Sequence, residues 1–172
     1  MADATDDFNR ADGPLGANWE TFGDNPPTIV SNQFSSPGFN GARYIGADFG
    51  NDHYSEIIAN KSTHMAVAVR IQDVDNYYFN FLEGGLFKRV AGNGSFVGNF
   101  ELFWDEGDTV RLEAIGDQIT LYINGISRGT LTDGDLTTGR PGIAGNTITT
   151  SWLGGPILAA AGVPRTQVLI AG

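Results

Sequence analysis

The dipeptide Asn124-Gly125 constrains the fold of this chain more than any other feature, because it separates two stretches in which apolar and polar residues alternate. Alternation with a period of two is typical of a strand with one buried face, and an Asn-Gly pair accepts the positive φ angles of a tight hairpin turn. Residues 118–123 and 126–131 are therefore predicted to form a hairpin. The alternating stretch 109–115 precedes it across the turn Gly116-Asp117 and completes a predicted three-stranded antiparallel meander.

The rest of the chain continues this pattern. Residues 64–72 alternate as well, and a turn at 73–76 leads to a further predicted strand at 77–82. The 24 glycines and 7 prolines supply frequent turns, and no long window has the 3.6-residue period of a helix. The sequence predicts an all-β fold, an antiparallel β-sandwich or jelly roll with no substantial helix. Other predicted strands lie at 28–30, 33–34, 42–45, 54–59, 86–91, 95–104 and 149–153.

Charge and composition exclude several classes of partner. The chain has 20 acidic and 10 basic side chains, a formal net charge of −10. Such a charge repels phosphate backbones and anionic membrane surfaces, so we expect neither nucleic acid nor a membrane as a partner. The first residues lack the features of a signal peptide, and the longest apolar run, 157–163, is far shorter than the ~20 residues of a membrane span. There is no cysteine, so no disulfide supports the fold.

A short segment is predicted on either side of the domain. Residues 1–5 are small and polar and are expected to be loosely held, and the sandwich is expected to occupy 6–153. Residues 154–172 form an apolar arm with one charge, Arg165, which would promote aggregation unless it were covered. We expect the arm to dock on neighbouring subunits, for example by strand addition, or alternatively to fold back over its own sandwich. The predicted docking residues are Pro156, Ile157, Leu158, Val163, Val168, Leu169 and Ile170.

Three stretches carry a family resemblance: DDFNRADGPLGANW, AVAVRIQDVDNYYFNF and GDTVRLEAIGDQITLYINGISRGTLTDGDLTTGRPGIAG. Together they resemble the concanavalin A-like lectin/glucanase superfamily in its laminin G-like branch, and in particular the domains of this type in bacteriophage tail and virion proteins. The resemblance covers residues 6–153. It implies a jelly roll of two antiparallel sheets, one of them concave, with ligands held on the concave face or at a loop rim. Because the fold hosts lectins, hydrolases and adhesive modules alike, it does not fix the activity.

The resemblance also implies where a catalytic centre would lie. The glucanase branch carries its acids as Glu-x-Asp-x-x-Glu or a close variant on one strand, and this sequence lacks that motif. Asp73 with Asp75, or Asp133 with Asp135, could present paired carboxylates, but aspartates in such turns usually bind backbone amides. The two histidines, His53 and His64, have no spacing that suggests a nucleophilic triad. We therefore predict no catalytic residue and no enzymatic activity.

A cation is the only cofactor that the sequence suggests. Calcium takes six or more oxygen ligands from carboxylates and loop carbonyls, and some laminin G-like domains hold calcium at the rim of the sandwich. The turn residues Asp73, Asp75 and Asn76 are the predicted calcium ligands. The alternative is that these side chains simply stabilise the turn.

Exposed aromatic side chains are the candidates for sugar binding, since sugar rings stack on their faces. Tyr77 and Tyr78 are adjacent in one predicted strand, so they point to opposite faces and one of them is expected to reach the surface. Trp104, at a strand end, could lie at the rim of the same face. The predicted carbohydrate site consists of Tyr78, Trp104 and Arg70, and the alternative is that these residues fill the core.

With the resemblance, these features predict a non-enzymatic structural and adhesive component of a bacteriophage virion, such as a capsid decoration or a minor tail protein. We expect a homo-oligomer that is made in the host cytoplasm, carried in the phage particle and docked on other virion subunits through the arm, with a lectin-like domain for cell-surface glycans. The alternative is a carbohydrate-binding accessory domain or a glycan hydrolase of a bacterium. The meander at 107–144 is interpreted as scaffold, with function at 73–78 and in the arm.

Overall fold

The computed structural model describes residues 2–38, 40–60, 65–81, 85–100 and 104–157. Over these residues the chain forms antiparallel β-strands joined by turns, and no helix in this part could cross a membrane. The strands are β1 (Ala4–Asp6), β2 (Gly13–Pro14), β3 (Trp19–Phe22), β4 (Thr28–Val30), β5 (Gln33–Ser36), β6 (Gly41–Tyr44), β7 (His53–Ile58), β8 (Met65–Asp73), β9 (Asn76–Phe81), β10 (Gly85–Val90), β11 (Asn93–Asn99), β12 (Thr109–Ile115), β13 (Gln118–Ile123), β14 (Ile126–Thr132), β15 (Arg140–Gly145), β16 (Thr147–Thr149) and β17 (Trp152–Pro156).

These strands form three sheets. The six-stranded sheet has the order β1-β17-β7-β12-β13-β14, and the seven-stranded sheet has the order β11-β10-β9-β8-β15-β6-β3. A small sheet, β16-β5-β4-β2, completes the fold. This architecture confirms the predicted all-β antiparallel sandwich.

The predicted meander forms as β12, β13 and β14. Leu112 faces Leu121 across the first pair, and Asn124 turns the chain with a φ angle of 50°. The Asn124 side chain also accepts a hydrogen bond of 3.0 Å from the backbone N–H of Thr109. The turn residue thus fixes the start of β12 as well as the hairpin.

The main core lies between the sheets and contains a cluster of large aromatic residues. The ring of Trp152 on β17 packs 4.8 Å from Trp19 on β3 and 4.8 Å from Tyr44 on β6. Its indole N–H donates to Ser55 Oγ at 2.8 Å, and Ser55 Oγ in turn donates to the Gly142 carbonyl at 2.7 Å. Trp152 therefore joins the two sheets by packing and by hydrogen bonds.

The structure corrects several predicted boundaries. Ala4 and Thr5, in the segment 1–5 that was predicted to be loosely held, belong to β1 and pair with β17. The strand predicted at 149–153 is instead divided between β16 and β17, and β17 continues to Pro156, beyond the predicted domain boundary at residue 153. β15, which was not predicted, is a central strand between β8 and β6. The strand predicted at 95–104 ends at Asn99.

The seven-stranded sheet is strongly curved. Phe22 on β3 and Tyr77 on β9 lie four strands apart, yet their ring centroids are 5.5 Å apart. A flat sheet would separate those strands by about 19 Å, so the outer face of this sheet is concave. Its floor consists of Ala66, Ala68 and Ala144, which are already buried. The concave face on which the resemblance would place a ligand therefore has a covered floor and aromatic flanks.

Candidate functional site

Tyr78, predicted to bind sugar, is a core residue. Its exposed fraction is 0%, and the neighbouring Tyr77 is buried too, so the expectation that one of the pair reaches the surface is wrong. The Tyr78 hydroxyl donates to Asp133 Oδ1 at 2.6 Å and accepts the backbone N–H of Leu136 at 3.1 Å. Burial, together with the hydrogen bond to Asp133, raises the pKa of Tyr78 to about 12. Its role is to anchor the loop after β14.

Arg70 anchors the same loop from the opposite side. Its side chain is 1% exposed, and Nη1 donates to the Leu136 carbonyl at 2.7 Å. Its backbone has a φ angle of 52° at a bulge in β8, and its N–H donates to His53 Nε2 at 3.0 Å. A guanidinium held in this way and only 1% exposed is not accessible to a sugar, so the geometry gives the prediction of Arg70 as a binding residue no support. Trp104, the third predicted residue, is half-buried against the main core.

The buried ring of His53 gives the fold a pH dependence. Burial lowers the pKa of His53 to about 4 from its ordinary 6.5, so between these pH values the unfolded chain binds a proton at this residue that the folded chain does not. We expect the contribution of His53 to the free energy of unfolding to be fully present above pH 6.5. As the pH drops to 4, the free energy of unfolding should fall by up to about 3 kcal/mol. Urea unfolding at several pH values would measure this loss. His53→Gln should flatten the slope in that window, and an unchanged slope would contradict the assignment.

The alternative carboxylate pair, Asp133 and Asp135, binds a lysine. Lys88 Nζ contacts Asp135 Oδ2 at 2.6 Å and Asp133 Oδ2 at 2.5 Å. Burial alone would raise the pKa of Asp133, but hydrogen bonds from Lys88 and Tyr78 outweigh it and lower the pKa. These carboxylates fix a loop and do not form a catalytic pair.

The predicted calcium ligands stabilise their own turn. Asp73 Oδ1 accepts the backbone N–H of Asp75 at 2.8 Å and the side-chain amide of Asn76 at 2.9 Å. Asp75 Oδ1 pairs with the Arg89 guanidinium at 3.1 Å, and the side-chain Oδ1 of Asn76 accepts the backbone N–H of Ala91 at 2.9 Å. One oxygen of each carboxylate is thus bound within the turn or by a cation of the protein itself, and the geometry gives the calcium prediction no support.

Only the first two predicted docking residues of the arm lie in the described part of the chain. Pro156 faces His53 in the pairing of β17 with β7, and the Ile157 N–H donates to the Asp52 carbonyl at 2.9 Å. Both residues therefore belong to the sandwich. The other predicted docking residues, Leu158, Val163, Val168, Leu169 and Ile170, lie outside the described residues.

The outer face of the six-stranded sheet has a different character. Alternation along β12 and β13 sends the apolar side chains into the core and the polar ones outward, and on β7 Tyr54 and Glu56 share the outward-facing positions. In the strand register, Arg111 on β12 lies between Glu56 on β7 and Tyr122 on β13, and Glu113 faces Tyr54. These five residues are called the Arg111 cluster below.

The guanidinium of Arg111 organises this cluster. Its Nε donates to Glu56 Oε2 at 2.8 Å, and its Nη1 lies 3.5 Å from Glu113 Oε1. The guanidinium carbon stacks over the Tyr54 ring at 3.9 Å from the centroid, which adds a cation–π attraction. Burial alone would lower the pKa of Arg111, but the bond to Glu56 outweighs it and raises the pKa. The side chain is nevertheless 29% exposed, so its remaining donors can face a ligand.

The two tyrosines are held in place from the sides. Burial and a hydrogen bond with Asp3 raise the pKa of Tyr54 to about 12. Asp3 and Tyr54 meet over Gly155 on β17, where a Cβ atom would lie 2.0 Å from Asp3 Oδ1. Burial and the nearby Glu113 carboxylate raise the pKa of Tyr122. Each phenol donates its single O–H to a carboxylate, Tyr54 to Asp3 and Tyr122 to Glu113, so it can offer a ligand only its oxygen, as an acceptor.

An open depression of about 510 Å³ adjoins the cluster. It lies over the β1–β17 edge of the sheet and shares Glu56 with the Arg111 cluster. Its other lining residues are Thr5, Asp6, Asp7, Ser151, Trp152 and Leu153. The cluster and the depression together form a polar surface, exposed mainly at Arg111, with guanidinium donors and with carboxylate and phenol oxygens as acceptors, which are the partners that sugar hydroxyls need.

Part of this surface could be predicted from the sequence. The alternation predicts Arg111, Glu113 and Tyr122 on the outer face of the meander, but the interpretation of that face as solvated scaffold overlooked them. Tyr54 and Glu56 lie on β7, and nothing in the sequence shows that β7 pairs with β12. Only the sheet register assembles the cluster.

Comparison with known proteins shows the fold. No family model matches the sequence, and no curated protein sequence matches it. Among solved structures, a carbohydrate-binding module from Bacillus subtilis matches 84% of this chain and 96% of its own with a TM-score of 0.60 and 16% identity. Domain 4 of an extracellular arabinanase from Geobacillus stearothermophilus, in complex with arabinotriose, matches 82% of this chain and 84% of its own, with a TM-score of 0.46 and 12% identity. A galectin from Caenorhabditis elegans matches 72% of this chain and 95% of its own, with a TM-score of 0.46 and 15% identity.

Proposed function

We propose that the chain is a non-catalytic glycan-binding module whose site is the Arg111 cluster with its adjoining depression. The observation that carries the proposal is the guanidinium of Arg111, held between Glu56 and Glu113 and stacked on Tyr54 while still partly exposed. A fixed guanidinium next to fixed carboxylates offers donors and acceptors side by side, as two neighbouring sugar hydroxyls require. Because these groups are already ordered, binding need not immobilise them.

The fold is consistent with this proposal. The sandwich matches nearly the whole of a bacterial carbohydrate-binding module. Hydrolysis is the less favoured alternative, because a glycosidase needs one carboxylic acid that donates a proton to the leaving oxygen. Glu56 and Glu113 both contact Arg111 and so act as acceptors.

The proposal predicts that Arg111→Ala weakens glycan binding by roughly tenfold to hundredfold, the cost of losing hydrogen bonds from a charged donor. A glycan array would select the ligand, and titration calorimetry with that ligand would measure the affinity. Arg89→Ala is the matched control, since Arg89 also pairs with a carboxylate, Asp75, but on the other sheet. Equal losses in the two variants, or an array without binding, would contradict the proposal, and release of reducing sugar would favour the hydrolase.

We further propose that this module serves in a phage particle, as the sequence resemblance implies. The resemblance, together with the apolar segment that follows β17, supports the proposal. Labelling purified particles with an antibody against the domain would locate it on the capsid or the tail. Particles without label would exclude the virion setting and leave the accessory domain of a bacterial protein as the alternative.

A further inference from the structure

Strand β11 is an exposed edge of unusual composition. Among the described strands, β11 is the outermost strand of the seven-stranded sheet and pairs only with β10. Its seven residues, NGSFVGN, include neither a charged residue nor a proline. Proteins normally protect such edges with charged residues, because an unpaired edge invites another strand. The other edge strands of the two large sheets follow this rule, since β3 carries Glu20, β14 carries Arg128 and β1 carries Asp6.

An aromatic ladder leads from the concave face to this edge. Phe81 packs 5.3 Å from Phe87, and Phe87 packs 5.3 Å from Phe96 on β11, with edge-to-face geometry in both pairs. Phe96 is 54% exposed. A large apolar side chain on an uncharged edge strand provides both a row of main-chain groups and a contact for an apolar side chain of an added strand.

The C-terminal sequence has matching properties. Residues 158–172 lie outside the described residues, and their last seven, TQVLIAG, have no charge and no proline, like the seven residues of β11. The one charge in the segment, Arg165, is positive, whereas the chain has a net charge of −10.

The position of the last described residue indicates which copy supplies the segment. Ile157 follows β17, which lies four strands from β14 in the six-stranded sheet, and Leu131 on β14 approaches Gly98 on β11. The route across those strands and around to the second sheet is about 29 Å. The nine Cα–Cα steps from Ile157 to residue 166 span at most about 32 Å when fully extended, so docking within the same chain would need an almost straight linker. Another copy therefore supplies the strand with less constraint than the chain itself.

We propose that β11 of one copy is the docking edge for residues 166–172 of a second copy, which add to the seven-stranded sheet as a further strand beside Phe96. The chain then forms a homo-oligomer by strand exchange between neighbours. This proposal does not depend on glycan binding, because β11 belongs to the sheet opposite the Arg111 cluster.

The test measures the oligomeric state of the full chain by sedimentation over a range of concentrations. We expect wild type to associate, and both Phe96→Asp and deletion of 166–172 to lower the association at least about tenfold, since a charge beside a docked apolar strand is desolvated. Ile126→Asp is the matched control, because Ile126 is 60% exposed on the other long edge, β14; this variant should associate like wild type.

The chain has no cysteine, so cross-linking can identify the partner. Mixing Phe96→Cys with Val168→Cys should give a disulfide-linked dimer of the two variants under mild oxidation. A monomeric wild type, association unaffected by Phe96→Asp, or a double variant that links only within one chain would each overturn the proposal.

Discussion

Trp152→Ala should lower the free energy of unfolding by about 4 kcal/mol, the typical cost of removing a large buried aromatic side chain. Trp152 is 1% exposed and packs on both Trp19 and Tyr44, so the cavity would open at the contact between the two sheets. Urea unfolding followed by circular dichroism would measure the change.

Trp152→Phe separates packing from hydrogen bonding. Phenylalanine keeps an aromatic ring but cannot donate to Ser55, so we expect a loss of about 1–2 kcal/mol from the unpaired hydroxyl and the smaller ring. A loss in Trp152→Ala no larger than in Trp152→Phe would show that packing around the indole contributes little.

Asp6→Ala should lower the free energy of unfolding by about 3 kcal/mol, because the carboxylate of Asp6 accepts hydrogen bonds from three other residues. Oδ1 accepts the Phe8 N–H at 2.8 Å and Arg10 Nη1 at 2.7 Å, while Oδ2 accepts Arg10 Nη2 at 3.0 Å and the Trp19 indole N–H at 2.7 Å. Removing it leaves the Phe8 N–H and the Trp19 indole N–H without this acceptor next to the core, whereas Arg10 keeps its bond to the Leu15 carbonyl. Thermal unfolding by calorimetry would measure the loss.

Asp7→Ala is the control for that experiment. Asp7 is the exposed neighbour and accepts one backbone N–H, from Asn9 at 3.0 Å, so its removal should cost less than about 1 kcal/mol. Burial alone would raise the pKa of Asp6, but hydrogen bonds from Arg10 and Trp19 lower it. The stabilisation is therefore present above the ordinary pKa of 3.8 and is lost as the pH falls through the lower folded value. If Asp6→Ala and Asp7→Ala were equally stable, the network around Asp6 would not support the fold.

Sequence reasoning succeeded where one face of a strand meets water. In β12 and β13 the alternation predicts both the strands and their buried faces, because the six-stranded sheet is apolar on one side and polar on the other. It failed in β9, since the seven-stranded sheet is covered on both sides. Tyr78 packs in the main core and Tyr77 in the aromatic cluster of the concave face, so adjacent tyrosines on opposite faces are both buried.

β15 was missed for a related reason. Its sequence, RPGIAG, has the glycine and proline content of a loop, yet it lies in the middle of a sheet. A Cβ atom at Gly142 would lie 2.1 Å from the Ala42 carbonyl oxygen, so the close approach of β6 excludes any side chain here. Tertiary packing selects this glycine, and local propensity cannot reveal it.

The candidate site shows the same limit. Arg111 and Glu113 could be assigned to an outer face from alternation alone, whereas their partners Glu56 and Tyr54 come from a strand more than fifty residues earlier. Alternation within each strand determines which side chains face outward, and pairing between distant strands determines which of them meet. Only the pairing between distant strands brings the guanidinium together with two carboxylates and an aromatic ring.

The position of β17 between β1 and β7 has a consequence for synthesis of the protein. The first strand of the chain has no partner other than β17 among the described strands, so the amino-terminal strand must wait until Pro156 has left the ribosome. The core tryptophan that joins the sheets arrives with the same strand. A nascent chain that stops before Trp152 has an unpaired edge at β7 and an incomplete aromatic core. Folding is therefore expected to be completed late in synthesis, and incomplete chains are expected to aggregate.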